Sequence, residues 1–79
     1  MNPTHERLLA TLVEISRLFP EWRIGQMICN LTNRVKTPTT QAEAAEAIWD
    51  IEDEELLASA EEFVANRRRQ LAEPDEPAA

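Results

Sequence analysis

The sequence predicts an all-α fold, a small bundle of three main helices plus one short helix. Three observations predict it. Apolar residues recur at helical spacing in three separate stretches. Prolines and capping residues fall between those stretches. The chain of 79 residues holds a single glycine, too few for the tight turns of a β-rich fold, and no window alternates apolar with polar residues.

The first helix starts at Asn2-Pro3, where Asn2 or Thr4 caps and Pro3 is tolerated in the first turn. Leu8, Leu12, Ile15 and Phe19 form its core stripe, widened by Leu9 and Val13. Pro20 ends it, because the residue before a proline is pushed out of the α region. Pro20 also opens a second helix whose stripe is Ile24, Met27, Ile28, Leu31 and Val35. Gly25 is costly inside a helix, so its expected use is close approach of another helix or of the Trp22 ring. With Cys29 one turn on, it would form a small-residue groove that another element fills.

Residues 36–40 read as a loop around Pro38. Thr40 and Glu43 have capping-box spacing, and the alanines that follow predict a short helix at about 40–48. Its apolar surface is thin apart from Ile48 and Trp49. The last helix is expected to begin near Asp50 or Glu52 and to bury Leu56, Leu57, Ala60, Phe63 and Val64. The organisation is thus one helical domain over 1–71 and a charged, Pro-rich tail over 72–79 expected to be disordered.

A chain this short buries only about 60% of its unfolded surface, so its stability is marginal. Cys29 is the only cysteine, which rules out a disulfide within the chain and points to a reducing cytoplasm. Met1–Arg7 lacks a signal-like apolar core, and no apolar run approaches the ~20 residues needed to cross a bilayer. The net charge is −7, and residues 41–66 carry nine acidic side chains and no basic one. Such a chain is a poor general binder of nucleic acid, which needs clustered Lys and Arg.

The densest signal is W-D-I-E-D-E-E-L-L at 49–57, with Asp50, Glu52, Asp53, Glu54 and Glu55 set among Trp49, Ile51, Leu56 and Leu57. The calcium-loop pattern is absent, and there is no glycine here to turn it. Acids at a helix start complement its dipole, as Arg67, Arg68 and Arg69 do at the other end. The first expectation is therefore a helix entry, with Trp49 and Ile51 acting as a hydrophobic staple, and the second is an acidic docking surface. His5 is expected to be a solvated first-turn residue and Cys29 an inert thiol. One histidine, no tyrosine and no phosphate loop cannot assemble the usual catalytic constellations, so neither an enzyme nor a bound metal or cofactor is expected. Trp22 and Trp49 are expected in the core, although tryptophan is also enriched at interface hot spots.

F-P-E-W-R-I-G-Q-M-I-C-N-L at 19–31 and I-W-D-I-E-D-E-E-L-L at 48–57 resemble a family of small uncharacterised bacterial proteins. There a P-[DE]-x-R-x-G-Q-x-x-x-N segment precedes an E-D-[ED]-E-L segment. The resemblance implies a bacterial source and a mostly helical fold, and it carries no activity. The recurring pairing suggests that Arg23 and Gln26 reach the Asp50–Glu54 segment. The expected function is a non-catalytic cytoplasmic interaction module, an adaptor or regulator that also self-associates as a homodimer. Its candidate interaction residues are Trp22, Arg23, Gln26, Trp49, Asp50, Glu52, Asp53, Glu54 and Glu55. Two alternatives stand beside it. One is a nucleic-acid-linked regulator of helix-turn-helix type, using Arg23, Gln26, Asn30, Asn33 and Arg34. The other is an acidic antitoxin or immunity-type partner of a basic protein.

Overall fold

The computed structural model describes residues 1–72, which form four helices: α1 Pro3–Leu18, α2 Ile24–Lys36, α3 Gln41–Asp50 and α4 Asp53–Ala72. There is no strand among the described residues. Of the tail expected to be disordered, residues 73–79 lie outside the described residues. No described helix is long and apolar enough to cross a membrane.

The helix ends follow local chemistry. The Asn2 side chain accepts from the Thr4 N–H at 2.8 Å, with Pro3 in the first turn. Phe19 leaves the helix just before Pro20. The second helix does not begin at Pro20, as expected, but at Ile24. Pro20–Arg23 instead form a turn in which the Trp22 N–H reaches the Phe19 carbonyl at 3.0 Å. That turn lays the Trp22 ring on Phe19, with centroids 4.5 Å apart. At the far end of α2, Thr37 adopts the left-handed conformation with φ 46°. Glycine or asparagine usually takes that place.

Thr40 caps α3 by accepting from the Glu43 N–H at 3.1 Å. Glu43 answers by accepting from the hydroxyls of Thr39 at 2.8 Å and Thr40 at 3.3 Å. The α3–α4 joint is only Ile51-Glu52. Glu55 reaches back to accept from the Glu52 N–H at 3.2 Å, which is half of a capping box. Ile51 packs against the core and stands five residues before buried Leu56, the spacing of a hydrophobic staple.

Helix α4 is the spine, and α1 and α2 each pack on it. Arg7 pairs with Glu61 and Glu14 with Arg68, so α1 runs parallel to α4. Trp22 lies against Phe63, Leu31 against Ser59 and Lys36 against Glu55, so α2 runs antiparallel to it. Leu8, Ile15, Met27, Leu31, Leu56, Leu57, Ala60 and Val64 form the core. The inner stripes of α1 and α4 are as expected. Leu9 and Val13, however, are each 50% exposed, because α1 buries one narrow stripe against α4 and no described element packs on its outer flank. Ile24 lies in the first turn of α2, clear of the core, and is also exposed. Two polar groups complete the interior. Thr32 donates to the Ile28 carbonyl and Ser59 to the Leu31 carbonyl, both at 2.8 Å.

Candidate functional site

The two tryptophans part company. Trp22 belongs to an aromatic stack with Phe19 and Phe63, its ring 5.7 Å from that of Phe63. Arginines close the stack: Arg67 lies 5.2 Å from the Phe19 ring centre and Arg34 lies 5.5 Å from that of Phe63. Trp22 is therefore part of the fold, as expected. Trp49 is 89% exposed, against expectation. The reason lies in how α3 packs. Its inner face is Ala44 and Ala47, which bring it onto α2, with Ile48 at the edge of that face, while Ala45 and Trp49 point away. The largest apolar residue of α3 stands on its solvent side.

The acidic segment divides in two. Asp53 accepts from His5 Nε2 across a 2.6 Å contact, and Glu55 sits 3.5 Å from Lys36 Nζ. His5 is half-exposed in the first turn of α1, as expected, and its ring also joins α1 to α4. Asp50 is not at the start of α4. It ends α3, where its charge faces the negative end of that helix's dipole. Glu52 precedes α4 and Glu54 lies on its outer side. Asp50, Glu52 and Glu54 are exposed and have no ion-pair partner among the described residues.

Arg23 and Gln26 do not reach this segment. Arg23 lies eight residues before Leu31, and Asp53 six residues before Ser59, on antiparallel helices bonded at Leu31–Ser59. The two are therefore on the order of 20 Å apart along the axes at about 1.5 Å per residue. Both Arg23 and Gln26 are exposed, at the opposite end of the molecule. Gly25 serves no close approach either, since a Cβ there would meet nothing within 4 Å. The small-residue groove with Cys29 is not built.

The arginine run is largely spent on the fold. Arg67 stacks on Phe19, Arg68 pairs with Glu14, and Arg69 bonds Asn66. A groove of about 480 Å³ between α2 and α4 is walled by the Arg34–Glu62 pair, and the hydroxyl of Ser59 there is committed to the Leu31 carbonyl. No group of three or more potential metal ligands converges among the described residues.

No protein-family model, curated protein or solved structure matches this chain.

What distinguishes the α3 corner is therefore its own geometry: an indole in water, an aliphatic neighbour and three unpaired carboxylates. Sequence reasoning named Trp49, Asp50, Glu52 and Glu54 but missed Ala45, Glu46 and Ile48. The signal was present, because 45, 48 and 49 have the i, i+3, i+4 spacing of one helix face. Alanines 44 and 47 marked a second face, and the spacing alone does not say which of the two turns inward.

Proposed function

We propose that this chain is a non-catalytic protein-interaction module of the cytoplasm, an adaptor or regulator, that docks through the outer face of α3. The observation that carries the reading is Trp49, 89% exposed beside Ile48 at 38%. A tryptophan buries 150–250 Å² when covered and is the residue most enriched among interface hot spots. The fold gains almost nothing from it here.

Other features support the same reading. The single histidine is tied to Asp53 on an open surface. The nucleic-acid alternative asks for a continuous basic face. Arg34 instead pairs with Glu62 on the α2 flank of α4, and Arg68 pairs with Glu14 on the α1 flank. Each cation is matched by a carboxylate, and the two flanks face apart.

Affinity capture from a lysate of the source organism tests the proposal, using the wild type, Trp49→Ala and a control, Leu9→Ala on the outer flank of α1. A set of proteins retained by the wild type and the control but lost with Trp49→Ala is expected. The same retained set on all three columns would overturn the reading.

A further inference from the structure

Helix α3 turns its largest apolar side chain to water. A surface helix ordinarily turns its largest apolar side chains to the core and its small or polar ones to water. Here Ala44 and Ala47 face α2, Ile48 lies at the edge of that face and is 38% exposed, and Trp49 faces outward with Ala45 one turn earlier. Glu46 and Asp50 stand one turn apart on α3, and Glu52 and Glu54 follow at the joint and in the first turn of α4. All four carboxylates are exposed, and none has an ion-pair partner among the described residues. The two acids of this corner that are paired, Asp53 and Glu55, turn toward α1 and α2.

Resting on the interaction reading above, we propose that the occupant of this face is a cationic amphipathic helix of a different protein, with an arginine or lysine laid over Trp49 and aliphatic side chains against Ile48 and Ala45. Charge complementarity selects this occupant. A second copy docking by the same face would set its own unpaired carboxylates beside these and bring no cation to them. An anionic membrane surface or a phosphate backbone meets the same repulsion. An arginine satisfies both halves of the site, because its guanidinium stacks on an indole face while its donors reach flanking carboxylates. A cation placed beside Asp50 also meets the negative end of the α3 dipole. Helix α3 has ten residues, about 15 Å of length, so three turns of a partner helix cover it. One such face is short of the roughly 1,600 Å² of a standard interface, so the expected complex belongs to the small, transient class.

The probe is a synthetic amphipathic peptide of leucine and arginine, about 18 residues long to span the face, beside a leucine–glutamate peptide of the same pattern. In a Trp22→Phe background Trp49 alone reports by fluorescence. The arginine peptide is expected to shift its emission to the blue, saturably. Binding should weaken several-fold as salt rises from about 50 to about 200 mM. By fluorescence anisotropy of labelled peptide, Trp49→Ala should weaken binding by about tenfold or more. The set Glu46→Gln, Asp50→Asn, Glu52→Gln and Glu54→Gln should do the same, with circular dichroism unchanged. Equal binding of the arginine peptide to Trp49→Ala, or equal binding of the glutamate peptide, overturns the proposal. So does self-association in light scattering that Trp49→Ala abolishes, which would make a second copy the occupant. A Trp49-dependent set of captured proteins that binds undiminished at high salt leaves the interaction reading standing and overturns the cationic partner alone.

Discussion

Trp22 and Trp49 are the same side chain at opposite ends of the bundle, and they have opposite relations to the fold. Trp22 is held because Phe19 and Phe63 pack on its ring, and Arg67 and Arg34 lie over those two rings in turn. Trp49 lies on a helix that attaches through alanines, so no described element reaches around to cover it. The difference teaches that burial of a large residue is decided by which face of its helix finds a neighbour. Its own hydrophobicity and its neighbours in sequence are weaker guides.

The sharpest way to break this comparison is to truncate each indole. Trp22→Ala should cost about 2–4 kcal/mol in urea denaturation, by loss of packing in the stack. Trp49→Ala should stay within about 0.5 kcal/mol of wild type. Equal losses would mean that Trp49 is structural after all. The attachment of α3 is probed next by Ala47→Leu. Ala47 is buried between α3 and α2, so the added bulk should cost about 1–3 kcal/mol and loosen α3 first, seen as earlier amide exchange over 41–50. Unchanged stability would show that α3 rides loosely enough to absorb it.

Smaller effects sharpen the contrast between the two ends. Thr37 turns the chain from α2 into α3 with a positive φ, which costs a β-branched residue more than it costs glycine. Thr37→Gly should therefore raise stability by about 1 kcal/mol in thermal melts, and a loss would mean that the Thr37 side chain makes a contact worth more than the strain. At the aromatic end, Gly25→Ala has open space for its methyl and should gain up to about 1 kcal/mol. A loss there would restore the close approach that the structure does not contain.

Much of the fold was legible in the sequence, for local reasons. The stripes of α1 and α4 are long and regular, and Asn2 and Thr40 cap as their spacing predicts. The start of α2 was not legible. Pro20 suits a first helical turn by its own geometry, and only the long-range pull of Phe63 on Trp22 makes 20–23 a turn. The expected contact of Arg23 and Gln26 with residues 50–54 depended on helix direction, which no local pattern encodes. Of the candidate site, the residue types were readable and their division was not. Whether Asp53 and Glu55 or Asp50 and Glu52 would be paired was settled by where His5 and Lys36 arrive.

The arrangement of helix ends has a kinetic consequence. Because α1 and α4 finish where α2 starts, Arg17, Arg23 and Arg67–Arg69 gather at one pole, while α3 and the first turn of α4 put their carboxylates at the other. Among the described residues the charge is therefore polarised along the length of the bundle, with unpaired carboxylates concentrated at the α3 end. In the field of a positively charged body it feels a torque before it feels a contact, and it arrives with the Trp49 corner in front. Orientation during approach, ordinarily the slow search in forming a complex, is then partly complete at a distance of about one Debye length, ~8 Å in physiological salt.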